Sequence, residues 1–174
     1  MNSFEIDRLL IKIAGGDNHA FEKLYISTKR GVFAFLYSYF HNQHDTEDAM
    51  QTVYLKIKRN ILSYKPHTNG RAWIFQIAKN HALNELKRKK PTESIDLALN
   101  LSKEKDVTYS DSSGVMKLIQ TLLSEDEQQI IILHVLWGYR HREIANQLDL
   151  PVGTVTSKYK RAVQKLKNEL SQKL

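Results

Sequence analysis

The side chains of this 174-residue sequence that are spaced to do chemistry suit recognition rather than bond making. Gln76, Lys79, Asn80 and Lys87 fall together on one side of a helical wheel over "RAWIFQIAKNHALNELKRKK", residues 71–90, and Arg88 belongs to the basic run that ends it. Thr154, Ser157, Lys158, Arg161 and Lys165 fall together on another, over the basic stretch that begins at Val152. Amides and hydroxyls hydrogen-bond base edges, whereas lysine and arginine hold phosphates. A third group, Glu47, Asp48 and Gln51, is acidic and polar and points away from an apolar stripe. Cysteine is absent, which removes thiol nucleophiles and thiolate zinc sites. Of the seven histidines, His41 and His44 are the nearest pair and lack a third ligand at helical spacing. His81 falls on an apolar arc, where a core histidine would sit. No catalytic residue, metal site or cofactor is expected.

Each group needs a helix to display it. Seven glycines and three prolines leave room for long ones. Phe4, Leu9, Leu10 and Ile13, then Phe21, Leu24 and Tyr25, recur at spacings of three to four, with Gly15-Gly16-Asp17 as a break. The stretch "VFAFLYSYF" (32–40) is aromatic enough for a strand, but its helical neighbours favour a buried helix. Over 45–57, Asp45 and Asp48 are placed to cap and box a helix whose inward face is Ala49, Val53 and Ile57. A loop at 63–70 follows. In the helix after it, Ile74, Phe75, Ile77, Ala78, Ala82 and Leu86 form the buried arc. Trp73 lies at the border, either core or an aromatic able to stack on an unpaired base. Ser124 and Glu127 form a second capping box before "IIILHVLW", which Gly138 ends. "HREIANQLDLPVGTVTSKYKRAVQKLKNEL" (141–170) has the spacing of a helix-turn-helix. Ile144, Ala145 and Leu148 line its first helix, and Asp149-Leu150-Pro151 makes the turn. Val155, Tyr159, Ala162, Val163, Leu166 and Leu170 line the second.

Charge is placed as well as abundant. The chain carries a net +7, with +5 in residues 71–90 and +5 in residues 157–174. That balance suits a polyanionic partner. Residues 91–113 run the other way, at −3, and open on proline. They read as a flexible acidic linker with a short turn near 97–101, dividing the chain into units 1–90 and 114–174. The N-terminus is acidic where a signal peptide would be basic. No run approaches the roughly 20 apolar residues of a membrane span, so a cytoplasmic chain is expected.

"DTEDAMQTVYLKI" (45–57), "GRAWIFQIAKNHALNELKRK" (70–89) and "HREIANQLDLPVGTVTSKYKRAVQKL" (141–166), with "AFEKLY" (20–25) ahead of them, together resemble bacterial RNA polymerase sigma factors. The similarity is to the sigma-70 family's extracytoplasmic-function (ECF) group. It implies an all-α fold of two small domains: a sigma region 2 helical bundle (1–90) and a sigma region 4 helix-turn-helix (114–174). A flexible linker (91–113) would join them and thread through the polymerase toward its active site and RNA exit path. The implied role is to bind core RNA polymerase and direct promoter-specific initiation, without enzymatic activity, by recognising −10 and −35 elements and aiding strand opening.

The resemblance also assigns the three groups. Glu47, Asp48 and Gln51 would meet the clamp of the largest polymerase subunit. Gln76, Lys79, Asn80, Lys87 and Arg88, with the 63–70 loop capturing a flipped base, would take the −10 element. Thr154, Ser157, Lys158, Arg161 and Lys165 would read the −35 duplex. The implied partners are core RNA polymerase, through its largest-subunit clamp and its flap, and promoter DNA. Many members add an anti-sigma factor, commonly membrane-bound. No small-molecule substrate is implied, and the free chain would be a monomer. Asp149, Lys158, Tyr159 and Asn84-Glu85 depart from the usual residues and leave the promoter sequence open. A stand-alone helix-turn-helix regulator would not call for a basic, amide-bearing helix at 71–90 or an acidic face at 45–57. A histidine-based metal-dependent hydrolase lacks its third ligand.

Overall fold

The computed structural model describes residues 3–89 and 113–172, and among them are eight α-helices and no strand. The expected linker, with its turn at 97–101, lies outside the described residues except for Ser113. The helices are α1 (Ser3–Ala14), α2 (Asn18–Phe40), α3 (Gln43–Arg59), α4 (Gly70–Lys89), α5 (Ser113–Leu122), α6 (Glu125–Val135), α7 (His141–Leu148) and α8 (Val152–Gln172). A single 3-10 turn, Ile61–Ser63, separates α3 from the loop before α4.

The breaks fall where local chemistry puts them. Gly16 takes a positive φ of 90°, a backbone glycine adopts without penalty. Asp17 then caps α2 by accepting the Ala20 N–H at 3.0 Å. The aromatic stretch 32–40 is the second half of α2, with Val32, Ala34, Phe35 and Leu36 all buried. Burial on several sides hides the helical period there. The cap of α3 differs from the sequence expectation. Asn42, not Asp45, is the N-cap: its side chain accepts the Asp45 N–H and donates to the Asp45 carboxylate, both at 2.8 Å. An amide can do both at once, so the helix begins three residues earlier. The capping box of Ser124 and Glu127 forms as expected.

α1, α3 and α4 pack around α2, and α6 of the second unit packs on it as well. The inward face expected for α3 (Ala49, Val53, Ile57) is buried, and of that expected for α4, Ile74, Phe75, Ala78 and Ala82 are buried while Ile77 and Leu86 are half-buried. One core runs from Ile6 through Phe35 and Phe75 to Leu133, Trp137 and Val155. Ile119, Leu123, Ile131 and Ala162 make a smaller cluster between α5, α6 and α8.

The seam between the two units depends on Gly31. A Cβ there would lie 2.9 Å from the Trp137 indole nitrogen, so only glycine lets the ring lie flat on α2. Glycine inside a helix ordinarily costs about 0.5–1 kcal/mol against alanine, and here the ring occupies the space that glycine leaves. Gly31→Val is therefore expected to destabilise the chain by about 1–3 kcal/mol through overpacking, despite the helix propensity gained. In a Trp73→Phe background, which leaves Trp137 as the sole reporter, its fluorescence should shift to the red. Unchanged emission and an unchanged urea midpoint would contradict this packing.

Candidate nucleic-acid and polymerase interfaces

The helix-turn-helix closes through Asp149, which takes a left-handed conformation (φ 56°, ψ 47°) and ends α7. Asp tolerates that region better than most residues with a Cβ. Ile144 and Ala145 are buried against α8, and Leu148 is half-buried. On α8, Val155 and Ala162 are fully buried. The side diametrically opposite carries Ser157, Lys160, Arg161, Gln164, Lys167 and Asn168, all of them exposed. Of the expected set, Ser157 and Arg161 lie on this outer arc and Thr154 is half-buried at its edge.

Lys158 and Lys165 require a correction of geometry. Both lie on the flank of α8 and reach back to the start of α6. Lys158 pairs with Asp126 at 2.6 Å and Lys165 with Glu127 at 2.7 Å. Sequence spacing could not reveal partners 32 and 38 residues away. The same spacing overlooked Lys160, Gln164 and Lys167. Burial pushes the Glu127 carboxyl up, but Lys165 and the Ser124 cap outweigh it and hold it below 4.5.

At the joint of α6, α7 and α8, His134, His141 and Tyr159 form a ring triangle with centroids 4.7–5.1 Å apart. His134 Nδ1 donates to the Tyr139 carbonyl at 2.8 Å, which fixes its tautomer. The Thr156 hydroxyl gives its proton to the Val152 carbonyl and so accepts from His141 Nδ1 at 3.1 Å. His141 Nε2 is buried without a partner. Burial, and then the adjacent His134, lower the His141 pKa.

On α4, Gln76, Asn80 and Lys87 carry the polar side, with Gln76 and Asn80 exposed as expected. Gln76 Nε2 donates to Asn80 Oδ1 at 2.8 Å, holding the two amides side by side. Arg88 is exposed but paired with Glu85 at 2.7 Å. Lys79 is half-buried and donates to the Gln147 carbonyl of α7, across the seam. Trp73 is half-buried with its ring 5.3 Å from Tyr64, which places it at the flank of the core. His81 is buried and accepts from the Lys56 ammonium at 3.2 Å, because an ammonium can only donate. Burial, followed by Lys56, lowers its pKa. Sequence reasoning does not single out Arg71, which donates to the Trp137 carbonyl and lies over the Tyr139 ring at 5.2 Å.

On α3, Asp48 and Gln51 lie on the outer side and Glu47 is half-buried, accepting from Gln43 Nε2 at 2.6 Å. Asp48 lies 3.3 Å from His44. Leu55, 58% exposed, continues the same face one and two turns on from Gln51 and Asp48. Sequence reasoning missed it, although an outward leucine amid polar residues was a signal. An apolar centre with an acidic rim is the make-up of a protein-docking face. Among the described residues, no group of three or more histidine, cysteine, aspartate or glutamate side chains could hold a metal. No described helix is long and apolar enough to cross a membrane.

The sigma-70 region 2 family model matches residues 24–92, and the sigma-70 region 4 model matches residues 115–166. The ECF RNA polymerase sigma-E factor of Haemophilus influenzae is 28% identical over 177 residues, covering 93% of each chain. The ECF RNA polymerase sigma factor SigW of Bacillus subtilis is 23% identical over 180 residues, covering 95% of this chain and 96% of that one. Among solved structures, CnrH bound to the cytosolic domain of CnrY has a TM-score of 0.64 at 20% identity, covering 97% and 98% of the two chains. The sigma factor RpoE bound to the anti-sigma factor NepR, from Bartonella quintana, has a TM-score of 0.68 at 23% identity, covering 87% and 96%. A helical bundle followed by a helix-turn-helix, each matching a sigma region in order, defines a transcription initiation factor of the sigma type. The chain belongs to the sigma-70 family of RNA polymerase sigma factors, in its ECF group.

His141 and His81 are bases whose folded values lie below 6.5. The stability they contribute is full above about 6.5 and is lost as pH falls through their folded values. Glu127, a lowered carboxyl, adds a second loss that begins below about 4.5. Urea midpoints should therefore fall between pH 7 and 5 and fall further in stronger acid. His141→Gln should shrink the first limb. Lys165→Met should leave that limb intact and cost about 1–3 kcal/mol at pH 7, toward the lower end because Lys165 is half exposed.

Proposed function

We propose that this chain binds core RNA polymerase through the Asp48, Gln51 and Leu55 face of α3, with Glu47 at its edge. The 1–90 unit engages the −10 element through Gln76, Asn80, Lys79, Lys87 and Arg88 of α4 and the loop before it. The 114–174 unit reads the −35 duplex through the outer arc of α8, with Arg161 and Ser157 at its centre, Thr154 at its edge and Lys160 added. Lys158 and Lys165 serve that helix by fixing its angle to α6, and they reach DNA only if their ion pairs open. The observation that carries this reading is the pairing, in one chain, of an amide-and-cation face on α4 with a basic arc on a helix-turn-helix. The chain acts by binding, in the cytoplasm, and the polymerase performs the chemistry. An anti-sigma factor is a further class of partner. It is suggested by the two related structures, CnrH with CnrY and RpoE with NepR, both solved with a bound protein.

Geometry demands that the units separate on DNA. Elements centred at −35 and −10 lie about 25 base pairs apart, roughly 85 Å of duplex at 3.4 Å per step. A compact chain of 174 residues has a radius of gyration of only about 16 Å. A connection of the length of 91–113 spans at most roughly 80 Å when extended. The seam of Trp137, Arg71 and Lys79 must therefore open before both elements are held.

Mixing the chain with sigma-free core polymerase should yield specific run-off transcripts. Binding to duplex DNA as a dimer with no effect on core polymerase would overturn the reading. Arg161→Ala should weaken recognition of the −35 duplex by about 1–3 kcal/mol for each base edge that the guanidinium reads, measured by fluorescence anisotropy. Asp48→Lys should abolish core binding while leaving the −35 affinity of the chain unchanged.

A further inference from the structure

α1 lies ahead of the matched region 2 segment, which begins at residue 24, yet it contains a buried carboxylate. Asp7 is only 4% exposed, on a helix whose other inward residues, Ile6, Leu10 and Ile13, are apolar. An apolar side chain would serve packing there without the cost of desolvating a carboxylate. The partners of Asp7 explain its presence, because all of them belong to the loop before α4. Its Oδ1 accepts from the Tyr64 hydroxyl and from the His67 backbone N–H at 2.9 Å. Its other oxygen lies 3.8 Å from His67 Nδ1.

The rest of α1 braces the same loop. The Ser3 hydroxyl donates to Asn69 Oδ1 at 3.0 Å, and that oxygen also accepts the Ala72 N–H at 3.2 Å, capping α4. Gly70 packs so closely that a Cβ would lie 2.8 Å from Ile6. Within the loop the Thr68 hydroxyl donates to the Lys65 carbonyl at 2.6 Å. His67 is held at φ 62°, a left-handed conformation unfavourable to a residue with a Cβ. The loop is thus tied at both feet and at its apex, while Lys65, Pro66, His67 and Thr68 remain exposed.

We propose that Asp7 is a positioning residue for base recognition: through the Tyr64 hydroxyl and the His67 N–H it fixes the 64–69 loop in the shape that presents Lys65, His67 and Thr68 to an unpaired base. The proposal rests on the reading of this loop as part of the −10 contact. A loop already held in its binding conformation avoids the ordering cost that a loose one incurs on binding. Discrimination between bases depends on that order more than general affinity does, because the phosphate contacts of α4 do not pass through the loop.

The test uses the full chain with sigma-free core polymerase and a set of promoters that differ at single −10 positions. Asp7→Ala should reduce the ratio of initiation from the preferred over the disfavoured base by roughly tenfold, the span that one mismatched base pair typically covers. Its core affinity and its −35 dependence should match the wild type. Asp7→Asn keeps an acceptor oxygen for both donors and should restore most of the selectivity. Should Asp7→Ala fail to fold, Tyr64→Phe carries the test, since it removes one donor and should lose part of the selectivity. A lower melting temperature with undiminished selectivity in these variants would overturn the proposal. So would an equal loss of initiation from every promoter. A wild-type chain that drives transcription without base selectivity at −10 would instead overturn the loop reading, and this proposal with it.

Discussion

Packing around α2 constrains everything else in the molecule. A helix of 23 residues with Leu24, Val32, Phe35 and Leu36 fully buried must be covered from several sides at once. α1, α3 and α4 cover it from within the first unit, and α6 covers it from the second. Because α6 also anchors α7 and α8, the helix-turn-helix is docked on the same core as α4. The fit turns on one missing side chain, that of Gly31, under one large ring, that of Trp137. Three charged or polar contacts then gather at the seam: Arg71 on the Trp137 carbonyl, Arg71 over Tyr139, and Lys79 on the Gln147 carbonyl.

What the sequence discloses and what it withholds divide along sequence distance. The break at Gly15-Gly16-Asp17, the Ser124–Glu127 box, the left-handed Asp149 and the inward faces of α3 and α4 are all legible. Each is decided by residues within about one helical turn. The N-cap of α3 is ambiguous in sequence because two nearby residues could both cap, and only the geometry shows Asn42 using its amide in both directions. A wheel of α8 centred on Lys158, Arg161 and Lys165 draws the polar arc too far to one side, because two of those cations answer to carboxylates on another helix. Asp7 is invisible for the same reason, its partners lying 57 and 60 residues on.

The basic charge of the chain therefore has two uses that composition cannot separate. Lys158 and Lys165 pair with Asp126 and Glu127, which also complement the positive end of the α6 dipole. These pairs set the angle between α6 and α8, as the His134–His141–Tyr159 triangle does on the other flank. Lys160, Arg161 and Lys167 face solvent, and their charge is available to a duplex. A recognition helix has to be held firmly by one side to be read from the other.

Two kinds of contact hold the seam, and they differ in what could replace them. Arg71 and Lys79 cross it to backbone carbonyls, not to carboxylates. A hydrogen bond from a cation to a neutral carbonyl lacks the charge–charge attraction that an anionic acceptor adds. A phosphate or a carboxylate offered to either side chain is thus a better acceptor than the one it would leave. The apolar part of the seam has no such replacement. The polar atoms of the Trp137 and Tyr139 side chains, the indole nitrogen and the phenol oxygen, lack hydrogen-bond partners, so these rings rest on burial and on the Arg71 guanidinium. An apolar polymerase or partner surface can compensate for exposing them, and a bare duplex cannot. A surface that offers both apolar cover and an anionic group therefore competes with this seam on both counts.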